Sequence, residues 1–336
     1  MTAAGRPGKA PPARERRVVI LRALGLGDLL TVVPAMRALA DAFGDLPRVL
    51  ACPAALAPLA RLGGTVDEVV PTDGLAGPLQ PRLAGATLAV NLHGRGPRSH
   101  RLLLATEPAR LLAFAHPAVP ASAGGPRWRA DEHEVARWCR LLAEHGIPAD
   151  PERLELDPPG PPPPGTAGAT LLHPGAGSPA RRWPPERFAA VARAERDRGR
   201  TVLVSAGPGE EGLARGIAAR AGLPAAAVHA GGDVAALARL VAAAGRVVCG
   251  DTGVAHLATA FRTPSVVLFG PVSPALWGPP PRPWHRALWS GRTGDPHGLR
   301  LDPGLAAITV DQVVEALTEL TSPAAGGWRQ APLRPA

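Results

Sequence analysis

Residues Arg17–Leu39 read RVVILRALGLGDLLTVVPAMRAL, and how they are read decides the fold. Arg17–Arg22 is a β-branched, apolar run of strand length. From Asp28 to Phe43 the apolar positions recur at helical spacing. Between the two lies a turn containing Gly25 and Gly27, residues that let a backbone come close to a ligand. Strand, glycine turn and helix in that order open a βαβ unit.

The pattern continues outward from this stretch. Strands are expected at Val49–Ala51, Glu68–Val70 and Leu88–Leu92, and a helix near His133–His145. Then comes DPPGPPPPGTAG, Asp157–Gly168, which cannot continue a helix or a central strand and favours extended polyproline geometry. Beyond it the alternation restarts. Strands are expected at Thr170–His173, Thr201–Ser205, Arg246–Cys249 and Ser265–Phe269. Helices are expected from Pro185, up to Ala221, over Val234–Ala244, after Asp251 and over Thr309–Leu320. The chain thus divides into a disordered basic tail (1–16), a first α/β domain (17–156), a proline-rich linker (157–168), a second α/β domain (169–322) and a disordered tail (323–336). Ligands of open α/β sheets sit at the carboxyl ends of strands, so the chemistry is expected in the cleft between the halves.

Composition narrows the class. The 336 residues suffice for two cores, and 46% hydrophobic content excludes wholesale disorder. A formal charge of +9 raises nucleic acid as a partner, but the arginines are scattered and no aromatic-rich strand offers a stacking platform. No nucleic acid is expected; an anionic substrate or acceptor suits the charge better. Cys52, Cys139 and Cys249 form no CxxC pair, which argues against a disulfide framework or structural zinc. The first residues lack an apolar signal segment, and no run of about 18 apolar residues occurs, so a cytoplasmic protein without a transmembrane helix is expected.

Four loops have the residues for chemistry. In the first, Asp28 reads either as an N-cap or as a general base at the cleft floor, and the roles are compatible. The second, HPGAGSPARRWPPERF, passes Gly175, Gly177 and Ser178 and reaches two arginines, Arg181 and Arg182, before a helix that starts at Pro185. Helix N–H groups with nearby guanidinium groups make an anion site; the plain alternative is a turn with surface arginines. The third, VVCGDTGVAHLATA, offers Asp251, Thr252 and Gly253 to one ligand, with His256 in the first helical turn as a site residue or a structural one. The fourth, AGPGEEG, matches the dinucleotide fingerprint GxGxxG. It sits in the second unit of its domain, however, and carries two glutamates where a pyrophosphate would lie. Glu210 or Glu211 is more sensibly a ribose-hydroxyl acceptor. A DxD motif, a GxSxG elbow and an HExxH helix are all absent, and no metal site is expected.

At RVVILRALGLGDLLTVVPAMRAL, HPGAGSPARRWPPERFAAV and VVCGDTGVAHLATAFRTPSVVLFGP the chain resembles glycosyltransferase family 9, the heptosyltransferase family, in order and spacing from about residue 17 to 320. The resemblance implies a GT-B fold: an acceptor-binding Rossmann-like domain first and a nucleotide-sugar domain second, facing across a cleft. It implies inverting transfer without a metal or other cofactor, typically from ADP-heptose to a lipid-linked core oligosaccharide of lipopolysaccharide. On this chain it makes Asp28 the catalytic base. It makes Arg181, where the family usually has lysine, a phosphate contact. Gly175, Gly177, Ser178, Glu210, Asp251, Thr252, Gly253 and His256 become donor-binding positions.

The loops at His93–His100 and Gly124–Arg129 are expected to shape an acceptor site. Gly27, Arg95 and Arg98 are then the acceptor-binding candidates for an anionic glycan or glycolipid, and peripheral association with the inner face of a membrane is compatible with this. The residues identify neither the base nor the sugar of the donor. The alternatives are an NAD-dependent oxidoreductase using the AGPGEEG loop and a GT-B protein that binds without catalysing.

Overall fold

A computed structural model describes residues 15–323, so the expected tails fall outside it except at residues 15, 16 and 323. The first lobe runs β1 (Glu15–Leu21), α1 (Leu26–Thr31), α2 (Val33–Ala42), β2 (Arg48–Cys52), α3 (Ala57–Leu62), β3 (Glu68–Pro71), β4 (Ala86–Asn91), α4 (Arg98–Leu104), β5 (Leu111–Leu112) and α5 (Glu134–Glu144). The second runs β6 (Thr170–His173), α6 (Pro185–Asp197), β7 (Val202–Ser205), α7 (Glu211–Ala221), β8 (Val228–His229), α8 (Val234–Ala243), β9 (Arg246–Gly250), α9 (Gly253–Ala260), β10 (Ser265–Leu268), α10 (Pro274–Trp277), β11 (His285–Leu288), α11 (Pro303–Ala307) and α12 (Val310–Glu319).

Both sheets are parallel, in the orders β3-β2-β1-β4-β5 and β11-β10-β9-β6-β7-β8. In each, the chain reverses its direction of travel across the sheet beside its own first strand. The reversal lies between β1 and β4 in one lobe and between β6 and β9 in the other. At such a switch point the loops on the two strands part in opposite directions and leave a crevice at the strand ends. The four loops that leave β1, β4, β6 and β9 therefore border the crevices.

Several sequence expectations need correction. The helix expected from Asp28 to Phe43 breaks at Val32, which ends α1 and begins α2 with φ −97° and ψ 2°. Pro34, at the second position of α2, has no N–H to give to the preceding turn, so one continuous helix is excluded. The tail ends sooner than expected, because β1 already includes residues 15 and 16. The linker 157–168 is irregular, but it is not extended throughout: Gly160, Gly165 and Gly168 take positive φ and turn it. The short edge strands β5, β8 and β11 were not foreseen, nor were α3, α4, α10 and α11, and α4 takes up the end of what reads as a loop at His93–His100. Two-residue strands carry no periodicity to detect.

The lobes are joined by more than the linker. One apolar cluster runs from the first sheet through Leu29, Leu30, Val33 and Trp138 to Val254, Leu257 and Phe261 of the second lobe. Its seam is α1 against α9, whose first turns meet face to face. They come this close because two side chains are missing. A Cβ on Gly253 would lie 2.7 Å from Leu26 Cγ, and one on Gly27 would lie 2.9 Å from His256 Cδ2. The backbone of Leu156 also donates to the Ala260 carbonyl at 2.8 Å, tying the start of the linker to the end of α9. Overpacking a close contact costs about 1–3 kcal/mol. Gly253→Ala should accordingly lower unfolding free energy by about that amount in denaturant titration. Unchanged stability would show that the seam yields.

Candidate active site

The α1 and α9 first turns form one wall of a cavity of about 510 Å³ between the lobes. Gly27 and Asp28 line it from the first lobe; Gly177, Arg181, Asp251, Thr252, Gly253 and His256 line it from the second. These eight of the thirteen residues singled out in the sequence are thus brought together. Arg95, in the loop after β4, and Arg98, the first residue of α4, are exposed and lie away from the cavity lining; Asn91 ties this loop to α4 through the Gly94 carbonyl, Ser99 and His100. Gly175, Ser178 and Glu210 also stand outside the lining and support it. Ser178 Oγ donates to the Pro296 carbonyl at 2.6 Å, holding the loop of His297 over the cavity. The Glu210 carboxylate folds back into the space beside Gly175 and accepts the Gly207 N–H at 3.1 Å.

That last contact weakens the dinucleotide reading of AGPGEEG. Gly207 N–H points to Glu210, and Gly209 N–H points to Glu211 Oε1 at 3.3 Å. The backbone donors a pyrophosphate needs are occupied by the loop's own carboxylates. The loop also follows β7, the second strand of its sheet, one strand away from the switch point.

Asp28 is not the N-cap. Gly25 holds that position, and Asp28 is the third residue of α1, half-buried at the cavity wall. Its position is set by Arg22, which sits just after β1 and is fully buried. Arg22 Nε donates to the Asp28 carbonyl at 2.8 Å, Nη1 to the Leu92 carbonyl at 2.6 Å, and Nη2 to Asp28 Oδ1 at 3.3 Å. Burial raises the Asp28 pKa, opposed by Arg22 and assisted by the charge of Glu134. The Glu134 carboxylate, at the start of α5, accepts from Arg22, Trp138 and Arg137. Arg22 also lies over the Trp138 ring, 4.8 Å from its centroid. Sequence reasoning missed Arg22 and Glu134. The only trace of Arg22 in the sequence is a charge at the end of an apolar run, and Glu134 has no signal beyond that of an acid near a helix start.

The opposite wall is built around Arg181. Trp183 is buried against Phe188, ring centroids 5.1 Å apart, and its Nε1 donates to the Ile308 carbonyl at 3.1 Å. This anchor fixes the short 3₁₀ turn Pro179–Arg181. Arg181 Nη1 donates to the Asp251 carbonyl at 3.3 Å and lies 3.9 Å from its carboxylate, while Nε is buried with no partner in the protein. Burial pushes Asp251 up to about 6 against the pull of Arg181. Thr252, the N-cap residue of α9, does not cap the helix with its side chain; Oγ1 is buried and finds no partner in the protein. The first N–H groups of α9 and this hydroxyl are therefore available to an anion at the cavity.

His256 packs edge-on to Trp277 at 5.9 Å, and burial with nearby His133 and Arg22 pushes it down to about 4. It also lines a second cavity, of about 320 Å³, against α5 and Pro279–Pro281. His173, at the end of β6, is likewise pushed down to about 4 by burial and is bonded to Ser205 Oγ at 3.0 Å. Leu237, Val272, Trp277 and His297 also line the cavity, without any signal in the sequence. Among the described residues no group of three or more His, Cys, Asp or Glu is placed to hold a metal ion, and no helix is long and apolar enough to cross a membrane.

The model of "Glycosyltransferase family 9 (heptosyltransferase)" matches residues 127–294, half of the chain. Similar solved structures cover both lobes. A glycosyl transferase family 9 protein from Veillonella parvula superposes with TM-score 0.71 at 18% identity, over 92% of this chain and 98% of that one. An E. coli ADP-heptose lps heptosyltransferase II gives 0.69 at 19%, over 90% and 97%. The E. coli heptosyltransferase WaaC with ADP-2-deoxy-2-fluoro heptose gives 0.67 at 18%, over 90% and 99%. At such identities the likeness is one of fold, and the fold is GT-B. No curated protein sequence matches the chain. With the family model spanning α5 and most of the second lobe, including the Arg181 turn and the start of α9, the chain belongs to glycosyltransferase family 9 and is a nucleotide-sugar glycosyltransferase.

Proposed function

We propose that the chain is an inverting, metal-independent transferase that moves heptose from ADP-heptose to a hydroxyl of an anionic glycan or glycolipid, such as a lipopolysaccharide core. The observation that carries this reading is the arrangement of the cavity. Asp28 enters from one lobe, and Arg181, Thr252 and the start of α9 enter from the other. In this reading the first lobe binds the acceptor and the second the donor. ADP as the nucleotide is supported by the relatives named above, one of which holds a fluorinated ADP-heptose.

The chemistry is a single displacement. Asp28 takes the proton of the acceptor hydroxyl as its oxygen attacks the anomeric carbon on the face opposite the diphosphate. The bond from that carbon to the diphosphate oxygen breaks, and the charge passes to the leaving nucleoside diphosphate. Arg181, Thr252 Oγ1 and the N–H groups of α9 meet that charge without a metal. Glu210 braces the donor loop in this scheme, and Ser178 fixes the segment around His297. Arg95 and Arg98 belong to the outer surface that a large anionic acceptor would meet. The protein would then work in the cytoplasm, at the inner face of a membrane when its acceptor is a lipid.

A hydrolysis and transfer screen with the purified protein over ADP-, GDP- and UDP-sugars tests the whole reading. Turnover confined to ADP-heptose is expected, and turnover on none would reject it. A positioned base contributes roughly 10²–10⁴ in rate, so Asp28→Asn should lose that much turnover while ADP still binds. Arg181→Ala should weaken ADP binding by about 10–100-fold in calorimetry, as expected for one charge-assisted contact; an unchanged affinity would remove Arg181 from the donor site.

Asp251 makes a separate prediction in the unliganded protein. Its raised pKa means that the folded state binds this proton more tightly than the unfolded state. The resulting stabilisation is complete below about pH 4, the unfolded value, and is lost as pH rises through about 6. In Asp251→Asn, urea unfolding should therefore lose that part of its pH dependence; an unchanged profile would place the titration elsewhere.

A further inference from the structure

Arg22 Nη2 carries two N–H bonds but faces three acceptors: Thr31 Oγ1 at 3.1 Å, Glu134 Oε1 at 3.1 Å and Asp28 Oδ1 at 3.3 Å. Asp28 has the longest contact of the three. Glu134 is the better buried carboxylate, with a side chain 6% exposed against 30% for Asp28. Its own orientation is fixed by Trp138 Nε1, which donates to Oε1 at 2.8 Å, and by Arg137, which donates to Oε2.

We propose that Glu134 is a positioning residue for Asp28: by sharing the Arg22 guanidinium it keeps that cation paired, so that Asp28 is held in place by Arg22 yet remains free to take up a proton. The inference rests on Asp28 being the base. An aspartate paired alone with a buried arginine would be held in its ionised form and would be a poor proton acceptor. Worse, once protonated it would leave a fully buried guanidinium without a counter-charge, a costly state. Glu134 removes both penalties. Arg22 and Arg137 balance Asp28 and Glu134, and when Asp28 becomes neutral Arg22 still faces an anion.

The other titratable groups around the site leave this balance intact. His93, whose Nδ1 accepts from the Ala23 N–H at 3.2 Å, is pushed down to about 4 by burial and by Arg22. His256 on α9 is likewise pushed down to about 4, so both are neutral at working pH. His133 caps α5 through Nδ1 and reaches the Gly278 carbonyl through Nε2 at 3.0 Å. Across the cavity, Asp251 and Arg181 face each other at 3.9 Å.

The test is the titration of Asp28 itself, followed by carbon-13 NMR of the aspartate carboxyl in the full chain and assigned by its loss in Asp28→Asn. In the unmodified protein the midpoint should lie above the ordinary aspartate value of about 4. A value at or below that would overturn the proposal, and no folding defect can void this arm. In Glu134→Gln the midpoint should fall by about one pH unit or more, and the acid limb of the turnover profile should fall with it. Glu134→Asp, which keeps the charge, should restore it towards the starting value. Equal loss of turnover in both variants with an unmoved Asp28 midpoint would show a merely structural role and sink the proposal. A shifted midpoint together with full turnover in Asp28→Asn would instead overturn the base, and with it the purpose assigned to Glu134.

Discussion

The close approach of two helix starts, α1 and α9, is the constraint from which the site follows. Gly27 and Gly253 leave no room for side chains at the crossing, so the backbones of two lobes meet there. Leu26, Leu29, Leu30, Val254 and Leu257 then bury the rest of the seam in one continuous apolar cluster. Each such side chain is worth about 1.5–3 kcal/mol when fully buried, so the seam holds the lobes in register as well as in contact. Because the crossing lies at the switch points of both sheets, whatever sits at the helix starts also lines the cavity.

Around that crossing the protein places two charge systems of different character. On the first lobe, Arg22, Asp28, Glu134 and Arg137 form a neutral set tied together by hydrogen bonds. On the second, Arg181 and Thr252 keep a buried donor without a protein partner, and burial pushes Asp251 up to about 6. The first is suited to holding one proton acceptor at a defined point. The second is suited to receiving an anion, since its unpartnered donors belong to residues that line the cavity beside the helix start. The lobes are thus unlike in chemistry although they are alike in topology.

Much of this was legible in the chain. Arg17–Leu39 announced its strand, turn and helix, and Thr170–His173 lies where its apolar run placed it. The glycine-flanked loops ended on the cavity because strand ends and helix starts are where backbone groups lack partners, and such places carry composition cues. Less was legible where a residue's role depends on a distant neighbour. Glu134 lies 112 positions from Arg22, and Trp277 meets His256 from a four-residue helix without any pattern of its own. Glu210 also depends on its surroundings: its carboxylate accepts the N–H of Gly207, a contact that its spacing did not show.

Local spacing by itself determined the two parallel-sheet halves, the proline-rich joint and the candidacy of Asp28, the Arg181–Arg182 pair and the Asp251–Gly253 turn, because periodicity and turn chemistry act over a few residues. Only the tertiary structure decided that Asp28 is the third residue of its helix and not its cap, and that Arg22 is shared between two carboxylates. Only it decided that Gly27 and Gly253 serve the meeting of the lobes. Those outcomes depend on burial and on charges brought together across the chain, where the cost of an unpaired buried group selects the partners and sequence distance plays no part.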